Sequence, residues 1–136
     1  MIEILPESAE NVLFCKASQK LTTTDYRGIF VPKLNELIEL HGKVKVLIEF
    51  SDYFNGFELG AMWEDAKFGI KHRNDFARIA IVSAPNWVEW GVSLVELFMD
   101  GQVRTFDQDQ LNEAREWIRN NVDISTVEPM SVGDAK

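Results

Sequence analysis

No stretch of this chain leaves fewer options than Ala77-Arg78-Ile79-Ala80-Ile81-Val82. It is short, rich in β-branched residues and almost unbroken in apolar character, the pattern of a central strand covered on both faces. A chain holding such a strand needs a sheet around it and helices above and below. The flanking segments supply the sheet. In 43–50, Val44, Val46, Ile48 and Phe50 alternate with Lys43, Lys45, Leu47 and Glu49, which marks a half-buried strand. In 11–19, Val12, Phe14 and Lys16 alternate with Leu13, Cys15 and Ala17, and the polar connector Pro6-Glu7-Ser8-Ala9-Glu10 joins this segment to a strand at 1–5 in a hairpin-like start. Val103-Arg104-Thr105-Phe106 reads as a last strand.

Between these segments the period changes to that of a helix. Thr22 and Asp25 have the spacing of a capping box, and Tyr26, Ile29, Phe30, Leu34, Leu37, Ile38 and His41 then recur at helical spacing up to Gly42, with Pro32 expected to kink or restart the helix. Residues 51–57 read as a loop. Leu59, Met62, Trp63, Ala66 and Ile70 define a second amphipathic helix, and Asn86 is the natural N-cap of a third over 87–99. Asp107 and Gln110 cap a fourth, carrying Leu111, Ala114, Trp117 and Ile118. The expected architecture is α/β: a small mixed, largely parallel β-sheet of about five strands covered by about four helices, in the order β-β-α-β-α-β-α-β-α. Residues 1–121 form one domain, and 122–136, which lose periodicity, are expected to be a mobile tail.

With 136 residues, 46% of them hydrophobic, the chain can build a core without a metal or disulfide staple. Cys15, the one cysteine, reads as a small core hydrophobe. The start Met1-Ile2-Glu3-Ile4-Leu5-Pro6 has no basic or long apolar region, so no signal peptide is expected. No run reaches the roughly 18 apolar residues that span a bilayer. The expectation is a cytoplasmic protein without a transmembrane segment. A net charge of −8 argues against nucleic acid as a partner, and the basic cluster Lys67, Lys71, His72 and Arg73 is too small to reverse that.

The supply of catalytic groups is poor. His41 and His72 sit at expected helix C-termini, where an imidazolium meets the helix dipole favourably. Cys15, His41 and His72 lack the close spacing of zinc ligands. Asp52, Glu58, Glu64 and Asp65 lack the spacing of a calcium loop, and Gly56, Gly60 and Gly69 form no phosphate-cradling loop. No catalytic residue, metal or cofactor is expected, and a binding module is favoured over an enzyme.

The segment 87–99 is the most informative. Its polar residues Glu89, Ser93 and Glu96, joined by Asp100, make one narrow stripe, and the rest apart from Gly91 is apolar. A helix on a sheet needs an apolar arc of about 100°, whereas this one is apolar over about three-quarters of its circumference. It should have a second apolar neighbour: the last helix through Trp117, a twin subunit, or a nonpolar ligand or membrane surface anchored by Trp87 and Trp90, with Leu94 and Phe98 on the contact surface. Phe54 and Phe57 follow a central strand, where α/β sheets tend to bind ligands. Phe57 also suits a hydrophobic staple; exposure of Phe54 would favour a contact role.

Three stretches carry a family resemblance. They are Asp25-Tyr26 with Pro32-Lys33-Leu34 and Leu40-His41-Gly42-Lys43-Val44; Glu49-Phe50-Ser51-Asp52 with Gly56-Phe57; and Arg78-Ile79-Ala80-Ile81-Val82 through Trp87 to Thr105-Phe106-Asp107 and Glu113-Ala114-Arg115-Glu116-Trp117-Ile118. Together they resemble the SpoIIAA-like family of small bacterial proteins, which shares its fold with STAS domains and is related in architecture to CRAL-TRIO lipid carriers. Together with the third helix and the 51–57 loop, a domain of this type is expected to be a non-enzymatic binding or regulatory module that associates through those two segments with a protein partner or with itself as a homodimer. Its alternative is a carrier of a lipid or other apolar small molecule, lidded by 87–99. Anti-sigma antagonists of the wider STAS group carry a phosphorylatable hydroxyl in an Asp-Ser-Ser-Gly type turn. Here that stretch reads Ser51-Asp52-Tyr53-Phe54-Asn55-Gly56-Phe57, which departs from the turn and leaves Ser51 as the candidate phosphoacceptor.

Overall fold

The computed structural model describes residues 1–58, 71, 74–85 and 102–120. Five strands form one sheet: β1 (Ile2–Ile4), β2 (Val12–Leu21), β3 (Val44–Phe57), β4 (Phe76–Val82) and β5 (Gln102–Phe106), in the spatial order β1-β2-β3-β4-β5. β1 runs antiparallel to β2, and every later pairing is parallel. The hairpin start and the largely parallel remainder therefore stand as expected.

Period-two side-chain alternation splits the core into two layers. On one face Leu13, Cys15 and Ala17 of β2, Val44, Val46 and Phe50 of β3 and Ile81 of β4 pack against Tyr26, Phe30, Leu34 and Leu37. On the other, Val12, Phe14, Leu47, Ala80, Val82 and Phe106 pack against Ala114 and Ile118. Ala80 and Val82 are fully buried and Ile81 nearly so, which is the two-sided cover that their sequence demanded. Cys15 is buried without a disulfide, and burial pushes its thiol up to about 12, so it behaves as a core hydrophobe.

The β2–β3 crossover covers the first face. It begins as α1 (Thr23–Asp25), passes through a π-helical turn (Tyr26–Phe30) and continues as α2 (Val31–His41). Thr22 Oγ1 accepts the Asp25 N–H at 3.1 Å and Asp25 Oδ2 accepts the Thr22 N–H at 2.9 Å, closing the expected capping box. Glu58 satisfies another orphan donor, its Oε1 accepting the Thr23 N–H at 2.9 Å. Pro32 acts one turn before its own position. It has no N–H for the Gly28 carbonyl and its ring crowds that oxygen, so the chain widens and the Val31 N–H reaches back to the Tyr26 carbonyl. Gly42, at φ +83, ends α2 with its N–H on the Ile38 carbonyl.

The second face is covered by α3 (Leu111–Arg119), entered through a 3-10 turn (Gln108–Gln110) and the expected Asp107–Gln110 capping box. Its C-terminus is held by cations from the sheet: Lys45 Nζ donates to the Asn120 carbonyl at 3.0 Å and Arg78 Nη1 to the Trp117 carbonyl at 2.6 Å. Arg78 and Arg104 also lie over the Trp117 ring, at 4.9 and 5.4 Å. Burial, and then mutual repulsion within this cationic row, lowers the pKa values of Lys45 and Arg78.

Of the four expected helices, the described residues hold those at 23–41 and Leu111–Arg119. The ones expected at 59–70 and 87–99 lie outside the described residues, as does the tail 122–136. The loop expected at 51–57 is a correction: these residues belong to β3, which runs on beside β2 to the pair Leu21↔Phe57. Asp52, Asn55 and Gly56 conceal the strand from a reading of propensity, because all three residue types are depleted in regular strands.

Candidate functional site

The extension of β3 is not a regular ladder. Ala17 pairs with Phe50 and Gln19 with Phe54, so Ser51, Asp52 and Tyr53 stand opposite Ser18 alone. A second irregularity follows, Lys20 pairing with Gly56, so that Asn55 is also extra. Such bulges kink a strand and re-aim its side chains. Gln19, at φ 55, and Gly56, at φ 145, absorb the distortion. Phe50 and Phe54 stay on the α2 side with their rings edge to face at 4.6 Å, while the residues between them are displaced outward. Tyr53 is thereby left 80% exposed, and its N–H is held by Ser51 Oγ at 3.1 Å.

Beside the bulge, Glu3, Lys16 and Glu49 form one row across β1, β2 and β3, because Glu3 pairs with Lys16 and Lys16 with Glu49. Each lies two residues beyond, or directly beside, a position under α3: Phe14 precedes Lys16 and Leu47 precedes Glu49 on the same face. An open groove of about 280 Å³ results, lined by this row together with Ser18, Phe50, Ser51, Asp52, Tyr53 and Gln108. It sits midway along β2 and β3, beside the bulge and next to Glu49↔Val82, the last pair of the β3–β4 ladder. Three carboxylates, Glu3, Glu49 and Asp52, face one ammonium, Lys16.

The groove unites only part of the candidate set. Ser51 lies in it, half-buried. Phe54 is buried in the α2-side core, so it does not meet the exposure on which a contact role was conditioned. The side chain of Phe57, and Trp87, Trp90, Leu94 and Phe98, lie outside the described residues. Among the acidic candidates Asp52 joins the groove and Glu58 caps α1; that hydrogen bond from Thr23 holds the Glu58 carboxylate below its ordinary value. Glu64, Asp65 and His72 fall outside the described residues, and His41 is exposed at the end of α2. Among the described residues no group of three or more His, Cys, Asp and Glu is placed to hold a metal ion, and no helix is long and apolar enough to cross a membrane.

Sequence reasoning missed Glu3, Lys16, Glu49, Tyr53 and Gln108 as one surface. The available signal was the polar ending of two apolar-alternating strands: Lys16 after Phe14, Glu49 after Leu47. Their juxtaposition appears only once the pairing register is known.

A mixed sheet with β1 antiparallel to four parallel strands, helices on two faces and a polar groove beside the β3 bulge defines a small α/β binding domain. The profile of the SpoIIAA-like family matches residues 12–119, and the chain belongs to that family. Among solved structures, it is similar to an uncharacterized protein of the DUF3478 family with a SpoIIAA-like fold from Shewanella loihica PV-4. The two are 31% identical with a TM-score of 0.65, over 86% of this chain and 93% of that one. No curated protein matches it. SpoIIAA-like domains are regulatory binding domains as a class.

Proposed function

We propose that this protein is a non-enzymatic regulatory module, acting in the cytoplasm, that binds a protein partner through the β3 bulge and the groove beside it. The observation that carries this reading is Tyr53, four-fifths exposed on a bulge midway along β3. A tyrosine offers a large amphipathic contact area at low entropic cost and is enriched at protein interfaces. Small-molecule pockets are mostly apolar and enclose roughly 300–1,000 Å³. The groove is polar and open, which fits an entering side chain better than an enclosed ligand. The carrier alternative draws no support from it.

The segment 87–99 is the second contact surface of this proposal on sequence grounds, with Trp87, Trp90, Leu94 and Phe98 as its apolar face toward a partner or a second copy. Phe57 belongs with the bulge by its place in the chain. Ser51 is the candidate phosphoacceptor of the same surface.

Tagged protein recovered from the cells that make it, and weighed by native mass spectrometry, tests the reading. A protein complex that Tyr53→Ala abolishes, with the fold intact by circular dichroism, is the expected result. A chain recovered alone, or a complex indifferent to Tyr53→Ala, overturns the role of the bulge. Trp90→Glu in the same assay separates the two surfaces: loss of a self-complex alone assigns 87–99 to homodimer contact.

A further inference from the structure

We infer that the partner segment taken by this surface is basic, a Lys- or Arg-bearing stretch of protein whose cationic side chain enters the groove beneath Tyr53. The inference rests on the proposed protein-binding role and adds the chemistry of the partner.

Three independent features converge on it. The first is charge: Glu3 and Glu49 flank Lys16 in register across three strands, and Asp52 joins them from the bulge. Three carboxylates against one ammonium leave the groove two charges negative, on a chain whose net charge is −8. A basic segment is steered toward such a surface and an acidic one is repelled.

The second is acceptor geometry. Serine and glutamine oxygens, from Ser18, Ser51 and Gln108, add further acceptors to the carboxylates. A guanidinium, with five donors and no acceptor, or an ammonium, with three, is complementary to these acceptors. The third is Tyr53, which gives the rim an accessible ring on which a cation can lie.

The test is site-specific photo-crosslinking in living cells, with benzoylphenylalanine incorporated in place of Tyr53 in the full chain and the crosslinked peptide sequenced by mass spectrometry. The expected product is a segment of another protein with Lys or Arg within a few residues of the crosslink. Its yield should fall about tenfold in the double variant Glu49→Gln, Asp52→Asn, and fall again when purified components are moved from 50 to 300 mM salt, because such pairs are screened. A crosslinked segment that is acidic or apolar, a yield indifferent to the double variant, or crosslinks only to a second copy through a segment without Lys or Arg overturns the basic-partner inference while leaving a protein-binding bulge. No protein crosslink at all, with the substituted chain folded, removes the binding role and this inference together.

Discussion

The two faces of the sheet are covered in different ways. Under the β2–β3 crossover the cover is apolar and runs from Val44 at one end of the sheet to Phe54 at the other, with Tyr26, Phe30, Leu34 and Leu37 filling it. Under α3 it is shorter. The helix buries Ala114 and Ile118 over Phe14 and Leu47, is anchored at its C-terminus by Lys45 and Arg78, and leaves Glu3, Lys16 and Glu49 open beyond it. A helix of nine residues spans only about 14 Å. Among the described residues α3 does not reach this end, where Glu3 is exposed and Lys16 and Glu49 are half-buried. The sealed face supplies stability; the face under α3 carries the surface proposed for contact.

The largest test of this contrast is on the sealed face. Leu34 is fully buried, and Leu34→Ala should cost about 2–5 kcal/mol in urea denaturation. On the α3 face, Arg78→Met keeps the aliphatic stem but removes the hydrogen bond to the Trp117 carbonyl and the cation over its ring, so a loss of about 1–3 kcal/mol is expected. A cost there equal to that of Leu34→Ala would erase the contrast.

Asp25 gives a smaller effect with a defined pH signature. Burial raises its pKa, but the hydrogen bonds from Thr22 and the Met1 ammonium, 3.2 Å away, outweigh that and hold it below the usual carboxylate value. A depressed folded pKa means that the contribution is fully present above the unfolded value, about 4, and is lost as pH falls through the folded one. Asp25→Ala should therefore cost about 1 kcal/mol at neutral pH. Urea titrations at pH 7 and pH 3 should show the difference from wild type shrinking at the lower pH. The smallest effect belongs to the groove: Tyr53→Ala should change stability by less than about 0.5 kcal/mol in the same assay, because an exposed ring has little packing to lose.

Much of the architecture was legible because it is written in local period. Val44, Val46, Ile48 and Phe50 announce β3, Thr22 with Asp25 announces the helix start, and Asp107 with Gln110 announces the last one; each signal lies within a few residues of chain. The bulge was legible only in part. Asp52, Asn55 and Gly56 mark an interruption, and it was read as a loop because no local rule tells a loop from a strand whose partner lets it buckle. Phe54 misled for the same reason: its core slot is built by Phe50 of its own strand and by residues distant in sequence.

The strands, the caps and the division into two covered faces follow from hydrophobic period and capping chemistry, which act between near neighbours and can be read along the chain. The groove depends on pairing register. Glu3, Lys16 and Glu49 are separated by 13 and 33 residues, yet form one row because the hydrogen-bond ladders of β1, β2 and β3 align them. A shift of one residue would have turned any of these side chains to the opposite face.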